Sequence, residues 1–327
     1  MSVATERARD IGAIVGRLPT GPANRITDVD GVRVGHSQAV SGQSTGVTVI
    51  APPDLPARGA TATVNGVGEL TAKLEIDERG RLETPVYLCG SHAIGTVLQA
   101  AIEASGRGPE NIVLPVVGEC DDGDMADSRT VVAADVEAAL STLGEEVPEG
   151  SVGAGTGMSC FDFPGGIGTA SRKVGDHTVG VLLLCNFGDR EYLDFAGCRF
   201  PPPERPAASH GSCIAVCATD APLPADQMRR LALRPLLGLI RAGSYAAEGS
   251  GEIGVAFTTA SESRQAGDRE MNRLLAAGWE AGWEAVLNCL VAARPGTRLD
   301  GSRQDGFPVE EVRARLAGQE DSGGSLS

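Results

Sequence analysis

Hydrophobic residues recur along this chain with two periods, one typical of strands and one typical of helices. Short apolar or alternating runs predict β-strands at residues 26–36, 45–50, 60–64, 85–89, 111–117, 179–185, 213–219 and 252–259. Apolar residues spaced three or four apart predict helices at residues 94–102, 131–143, 224–242 and 271–293. Pro235 is expected to kink the helix at 224–242 or to divide it in two.

The order of these elements indicates the fold class. Strands and helices recur throughout, which predicts an α/β or α+β fold in which helices enclose the sheets. The sequence contains no internal repeat and no interdomain linker. The 44 glycines cluster between apolar runs, a distribution typical of turns and close backbone approaches.

Charge and cysteine content narrow the possible partners. A net charge of −15 argues against nucleic-acid binding and against a basic membrane anchor. No apolar run approaches the roughly 18 residues of a membrane span, and residues 1–17 lack the apolar core of a signal peptide. Eight cysteines without a CxxC pair predict buried free thiols in a reducing cytoplasm. We expect neither a cofactor nor a metal.

The stretch around Ser250 suggests covalent chemistry. A small-residue loop leads into Gly249 and Ser250, and a strand follows at once. One hypothesis is that Ser250 attacks the carbonyl carbon of Gly249 and cuts the chain. Ser250 would then have a free α-amine, whose ordinary pKa of about 7.7–8 suits a general base. The alternative is a flexible Gly-Ser turn before a strand.

Two other features leave alternatives open. The acidic loop 119–127 contains four aspartates and one glutamate, which permits either a solvated loop or calcium binding, although the full calcium-loop pattern is absent. Ser250 could instead belong to a Ser-His-Asp triad with one of the four histidines, but the nucleophile-elbow pattern is missing. The four histidines are His36, His92, His177 and His210.

Seven segments, in order, resemble one family. They are residues 45–50, 65–69, 155–158, 165–169, 186–188, 218–222 and 249–253. They look like the DmpA-type self-processing hydrolases, which include L-aminopeptidase/D-amidase/D-esterases, β-peptidyl aminopeptidases and nylon-oligomer and pantetheine hydrolases. The resemblance spans residues 25–317, with 1–24 as an N-terminal extension and 318–327 as a disordered tail. It implies an αββα sandwich, cleavage between Gly249 and Ser250, and a homotetramer of cleaved units.

The resemblance also implies roles for individual residues. Ser250 matches the nucleophile, Asn186 the oxyanion donor, and Glu284 the acidic residue that orients the nucleophile's amine and hydroxyl. The possible substrate pocket contains Asp121, Asp122, Asn65, Gly155 and Gly157.

Several positions depart from the family pattern. An aromatic residue is usual at Asp121, a lysine at Pro164, a hydroxyl or carboxyl side chain at Gly282, and an asparagine at Ser91. The first two changes make the predicted pocket more negative and should favour substrates with a free amine or a basic side chain.

Two functions follow from this pattern. The first is an amide hydrolase that releases N-terminal residues from short peptides, amino-acid amides or esters. The alternative is a catalytically silent family member that acts as a binding or scaffold protein.

Overall fold

The computed structural model describes residues 6–204 and 211–323. Its strands are β1 Arg33–Gln38, β2 Gly46–Ala51, β3 Ala57–Gly66, β4 Arg81–Leu82, β5 Val86–Gly90, β6 Val116–Cys120, β7 Ser159–Cys160, β8 Phe163–Pro164, β9 Gly166–Val174, β10 His177–Asn186, β11 Ser212–Thr219, β12 Gly251–Thr258, β13 Gly296–Thr297 and β14 Arg303–Gln304. Its α-helices are α1 Lys73–Arg79, α2 Ile94–Ala104, α3 Ala133–Ser141, α4 Ala225–Ala242, α5 Asp268–Ala292 and α6 Val309–Gly323. No helix in these ranges is long and apolar enough to span a membrane.

Two sheets form the centre of the molecule. The smaller has the strand order β1-β2-β5-β6, and the larger has the order β4-β3-β12-β11-β10-β9. Most neighbouring strands are antiparallel, but β5 and β6 are parallel, as are β11 and β12. A β-bulge interrupts the register of β12 with β3 between Glu252 and Ile253. Bulges re-aim side chains near active sites, and this one lies at the start of β12.

Three apolar layers separate the sheets and helices. Residues such as Leu88 of the smaller sheet and Val216 of the larger sheet are buried between the two sheets. Helices α4 and α5 pack on the outer face of the larger sheet, where Leu236 and Leu287 are buried. Helices α2 and α3 cover the smaller sheet through residues such as Val97. The predicted αββα sandwich is therefore confirmed.

Helices α4 and α5 approach each other through small residues. A Cβ atom at Gly282 would lie 2.5 Å from the Cα of Pro235, and one at Gly238 would lie 2.4 Å from the backbone nitrogen of Trp283. Of the two predicted effects of Pro235, division of the helix does not occur, because α4 runs from Ala225 to Ala242 with Pro235 inside it. Glycine is needed at positions 238 and 282 because the backbones of α4 and α5 leave no room for a side chain there.

The chain ends differ from their predicted boundaries. Ala8, Ile11 and Val15 are buried in the core next to α5, so the described part of the predicted 1–24 extension belongs to the folded body. Helix α6 continues to Gly323, six residues beyond the predicted end of the hydrolase domain at residue 317. Residues 1–5 and 324–327 lie outside the described residues.

Candidate active site

Strand ends from both sheets meet around one cleft. Asn186 at the end of β10 is in register with Ser212 of β11, which is in register with Gly251 of β12. Since neighbouring strands lie about 4.8 Å apart, Asn186 and Gly251 are roughly 10 Å apart across the sheet. Strand β6 of the smaller sheet ends at Cys120, directly before Asp121. The fold thus brings distant segments of the chain to one place.

Five of the predicted site residues line this cleft together. They are Ser250, Asn186, Asp121, Asp122 and Gly157. A Cβ atom at Gly157 would lie 2.2 Å from the carbonyl oxygen of Ser44, so glycine lets the wall of the cleft pack closely.

Ser250 lies immediately before β12. The residue is 2% exposed, and its backbone N–H donates to the carbonyl oxygen of Ala247 at 2.8 Å. Its hydroxyl donates a hydrogen bond to Oε1 of Glu252. Side chains two residues apart on a strand point to the same face, which explains why Glu252 reaches the hydroxyl. Ala246 has a left-handed φ of 53°, an unusual conformation for alanine, so the loop before Ser250 is tightly constrained.

The Asn186 amide is fixed at both of its ends. Its Oδ1 accepts from the backbone N–H of Ser159 at 2.8 Å, and its Nδ2 donates to the carbonyl oxygen of Asp121 at 2.7 Å. An amide nitrogen has two N–H groups, and the bond to Asp121 uses one of them. The arrangement leaves a second donor in the cleft for an oxyanion.

Two predicted pocket residues, Asn65 and Gly155, are not among the residues that line the cleft. The Nδ2 of Asn65 donates to the carbonyl oxygen of Ala247 at 2.7 Å and contacts that of Glu248 at 3.4 Å. Asn65 therefore holds the loop that precedes Ser250. Gly155 packs against backbone, since a Cβ atom there would lie 2.6 Å from the Cα of Gly166.

Glu284 contacts arginines instead of Ser250, which corrects the predicted role. Arg9 donates to Oε1 at 2.7 Å and to Oε2 at 2.8 Å, and Arg172 donates to Oε2 at 2.6 Å. Asn24 adds a bond to Oε1. Burial would raise the pKa of Glu284, but the hydrogen bond from Arg9 and the charges of Arg172 and Arg9 outweigh it and lower this pKa. Its position within an amphipathic helix could not reveal these partners, which are distant in the sequence.

The positions that depart from the family pattern have packing explanations in two cases. Gly282 lies against the backbone of α4, where a side chain would collide with Pro235. Pro164 is buried in β8, which pairs with Ser159 of β7. Ser91 does not cap the following helix, because its hydroxyl bonds to Glu119.

The cleft is rich in carboxylates. Asp121 is exposed, whereas Asp122 is 2% exposed and accepts a hydrogen bond of 2.7 Å from Thr45. Burial raises the pKa of Asp122, and the bond from Thr45 opposes the rise. The other lining aspartates are Asp124, Asp162 and Asp189, and among the described lining residues Arg298 is the one cation.

One wall of the cleft is aromatic and polar. The Tyr245 hydroxyl donates to Oδ2 of Asp189 at 2.6 Å, and this bond raises the pKa of Tyr245 to about 12. Tyr245 also contacts Tyr192 edge to face, with ring centroids 5.1 Å apart. The tyrosine therefore stays protonated near neutral pH and can offer an apolar ring surface to a substrate.

The histidines described by the structure do not line this cleft. Burial lowers the pKa of His36 to about 4, and its Nδ1 lies 2.9 Å from the hydroxyl of Thr48. His177 lies close to Asp220 and Glu270, at the opposite end of β10 from Asn186. His92 is absent from the cleft lining. His210 lies outside the described residues. Within residues 6–204 and 211–323, no group of three or more His, Cys, Asp or Glu side chains is arranged to hold a metal ion.

Sequence reasoning missed three residues of the site, one that contacts the Ser250 hydroxyl and two that line the cleft. Glu252 stands within the predicted strand 252–259, and its two-residue spacing from Ser250 was the available signal. Arg298 and Gln304 come from the C-terminal region beyond α5, where no pattern indicated a site. Gln304 is 2% exposed and donates to the hydroxyl of Ser159 at 2.9 Å, while its Oε1 is buried without a hydrogen-bond partner.

Comparison with known proteins gives consistent matches over nearly the whole chain. Residues 24–304 match the peptidase family S58. The chain is 35% identical to β-peptidyl aminopeptidase BapA of Sphingosinicella microcystinivorans, over 95% of this chain and 91% of that protein. It is 37% identical to β-peptidyl aminopeptidase BapA of Sphingosinicella xenopeptidilytica, with the same coverage of both chains.

Solved structures agree with these sequence matches. The L-aminopeptidase D-Ala-esterase/amidase of Ochrobactrum anthropi superposes with a TM-score of 0.85 at 32% identity, over 96% of this chain and 99% of that chain. That protein is described as a prototype of the serine aminopeptidases with a variant of the Ntn hydrolase fold. The β-aminopeptidase of a Burkholderia species gives a TM-score of 0.85 at 35% identity, over 98% of this chain and all of the other.

Proposed function

Because the chain belongs to peptidase family S58, we propose that it is a self-processing serine aminopeptidase. In this proposal Ser250 is the nucleophile, and cleavage between Gly249 and Ser250 releases its α-amine. The mature enzyme then removes N-terminal residues from short peptides, amino-acid amides or esters. The related proteins named above are aminopeptidases or amidases, which supports this substrate class.

The observation on which the proposal depends most is the setting of Ser250. Its hydroxyl is hydrogen-bonded, nearly buried and directly at the start of a central strand. A rigid element and a fixed rotamer are what a nucleophile needs for attack in one direction. The Asn186 amide, held in the same cleft, is our candidate donor to the tetrahedral oxyanion, and loss of one such donor typically lowers kcat by about 10²–10³.

After cleavage, turnover follows the same chemistry with an external amide. The Ser250 α-amine accepts the hydroxyl proton while Oγ attacks the substrate carbonyl carbon. The protonated amine then donates to the leaving nitrogen, and water hydrolyses the resulting ester. The aspartates at the cleft are our candidate partners for the substrate's own ammonium group.

Intact mass of the purified protein tests this function. We expect wild type to give two chains, 1–249 and 250–327, and to hydrolyse amino-acid p-nitroanilides, whereas Ser250→Ala should stay intact and inactive. Asn186→Ala should lower kcat by about 10²–10³ with a smaller effect on KM. A wild-type chain that stays whole after long incubation would contradict self-processing.

The same measurement separates the alternative function. Asp121 places a carboxylate where the family usually has an aromatic residue, and this observation favours a silent binding or scaffold protein. An uncut wild-type chain without amidase activity would support that alternative.

We further propose a cytoplasmic enzyme that assembles as a homotetramer of cleaved units. All eight cysteines are free and buried, which supports a reducing compartment. Light scattering coupled to gel filtration would measure the mass of the assembly.

A further inference from the structure

Self-processing needs a base to accept the Ser250 hydroxyl proton. The uncut chain has no free α-amine at Ser250 that could serve as this base. Before cleavage the Ser250 nitrogen is a peptide amide, and its N–H donates to the carbonyl oxygen of Ala247 at 2.8 Å. An amide nitrogen has no available basic lone pair, so the α-amine cannot activate the first attack. A different group must accept the hydroxyl proton at that stage.

Glu252 is the ionisable group in contact with the Ser250 hydroxyl. Its Oε1 accepts the hydrogen bond from Ser250, and its Oε2 is buried without a hydrogen-bond partner. The whole residue is 0% exposed. A buried carboxylate with one unpaired oxygen is energetically costly, which calls for a functional explanation when it adjoins a nucleophile.

The surroundings of Glu252 leave its charge uncompensated. In register it lies between Cys213 of β11 and Asn65 of β3, and Asn65 directs its amide to Ala247 and Glu248. Burial raises the pKa of Glu252, and the bond from Ser250 opposes this effect. Cys213 is a titratable neighbour of Glu252. Burial raises the pKa of the Cys213 thiol, and the charge of Glu252 raises it further. No arginine or lysine in the described residues forms an ion pair with Glu252.

We propose that Glu252 is the general base that activates Ser250 for cleavage of its own chain, an inference that rests on the proposed self-processing. Glu252 is thus a catalytic residue of maturation, because it touches the attacking atom. The α-amine replaces it as base once the chain is cut.

The step balances as a proton transfer followed by acyl transfer. Glu252 takes the Ser250 hydroxyl proton as Oγ bonds to the carbonyl carbon of Gly249. When the bond between Gly249 and the Ser250 nitrogen breaks, Glu252 returns the proton to that nitrogen. The product is an ester between Gly249 and Ser250 Oγ. Water then adds its hydroxyl to the Gly249 carbonyl carbon and its proton to Oγ. The products are the carboxylic acid of Gly249, which releases its proton to solvent near neutral pH, and a second chain that begins with Ser250.

The rate of maturation tests this role directly. Full-length chain is synthesised in a cell-free pulse, shifted to buffers between pH 5 and pH 9, and sampled for the appearance of 250–327. We expect the wild-type rate to rise as Glu252 loses its proton and then to level off. Glu252→Gln should slow cleavage by about 10²-fold or more, in the range typical of general bases. The cleavage rate of this variant should no longer rise and level off with pH as the wild-type rate does. Glu252→Asp should recover part of the rate.

A change of nucleophile separates catalysis from simple positioning. A cysteine has a pKa of about 8.5 and depends less on a base. The loss caused by Glu252→Gln should therefore be smaller in a Ser250→Cys background, whereas a purely structural role predicts equal losses in both backgrounds. Glu69→Gln, which removes an exposed carboxylate from the chain next to β3, is the matched control and should cleave at the wild-type rate.

The outcomes distinguish this inference from the proposed function. Wild type that never cleaves would refute self-processing altogether. Wild type that cleaves, with Glu252→Gln within about threefold of it and the same pH profile, would overturn the role of Glu252 alone. If Glu252→Gln does not fold, a wild-type cleavage rate that stays constant between pH 5 and pH 9 would overturn it equally.

Discussion

Glu252 and Glu284 are both fully buried carboxylates, and they have opposite surroundings. Glu284 has both oxygens bound, by Arg9, Arg172 and Asn24. Glu252 has one oxygen on Ser250 and one without a partner. The environment lowers the pKa of Glu284 and raises that of Glu252. Two equally buried carboxylates therefore differ in their partners: Glu284 is fully paired, and Glu252 is not.

The difference teaches how to separate structural acids from reactive ones in this fold. A buried charge is tolerated in a stable network when its hydrogen-bonding capacity is filled. Glu284 meets that condition and joins the N-terminal segment to α5 and β9. A carboxyl whose proton is held more tightly than usual accepts protons more readily near neutral pH. Glu252 meets that second condition beside Ser250, the proposed nucleophile.

The largest effect expected on stability is at Glu284. In a Ser250→Ala background, which keeps one chain, Glu284→Gln should lower the free energy of unfolding by about 3 kcal/mol, because the buried Arg172 then keeps only Glu280 of its two carboxylate partners. Glu252→Gln should change it by under about 1 kcal/mol, since no cation loses a partner there. Urea unfolding at pH 7 measures both. Similar losses at the two positions would refute the contrast.

The pH dependence of stability offers a second way to sharpen the contrast. Because the folded pKa of Glu284 lies below its ordinary value of 4.5, its contribution is present above that value and is lost as the pH falls through the folded pKa. When the free energy of unfolding is plotted against pH, it should therefore fall less steeply at acid pH in Glu284→Gln than in the Ser250→Ala parent. An unchanged slope at acid pH would mean that other carboxylates dominate acid unfolding.

Periodicity predicted most of the elements, and it failed where contacts between distant segments decide. The strands at 179–185 and 213–219 and the helix at 271–293 correspond to β10, β11 and α5 within a few residues. The predicted strand at 111–117 overlaps β6 only at Val116 and Val117, because β6 begins at Val116. The burial of Ile11 against the core depends on tertiary packing that no local pattern contains.

The candidate site shows the same limit. Motif order identified Ser250 and Asn186, which share the cleft. The family resemblance also assigned Glu284 to the site. That assignment could not be checked from the sequence, because a charged residue within an amphipathic helix gives no sign of which distant groups it contacts. The ion pair with Arg172 joins positions more than one hundred residues apart, and such pairings are invisible to local patterns.

A smaller loss of stability is expected at Gly282. In the same Ser250→Ala background, Gly282→Ser should destabilise the fold by about 1–3 kcal/mol, because a Cβ atom would lie 2.5 Å from the Cα of Pro235. Gly95→Ser in α2, where a Cβ atom meets nothing within 4 Å, should be near neutral. Thermal unfolding compares the two. An unaffected Gly282→Ser would mean that α4 and α5 can separate without cost, and the missing hydroxyl would again need a functional explanation.

The smallest expected effect concerns the charge of the cleft. Asp121 is exposed on a wall with four other aspartates and one arginine, so it should favour substrates with a basic side chain. Exposed ion pairs contribute about 0.2–1 kcal/mol, so Asp121→Asn should lower the ratio of lysyl to glutamyl amide turnover by about 1.5- to 5-fold at low ionic strength.

The control and the salt dependence decide whether Asp121 acts locally. Asp30→Asn removes the same charge from an exposed position outside the cleft lining, and it should leave the ratio of lysyl to glutamyl turnover unchanged. Because salt screens exposed charges over about 10 Å at 0.1 M, the difference between wild type and Asp121→Asn should shrink as salt rises. Equal ratios for wild type and Asp121→Asn at low salt would show that Asp121 does not set specificity. Specificity would then depend on the more buried members of the cleft, of which Asp122 and Gln304 are the next to substitute.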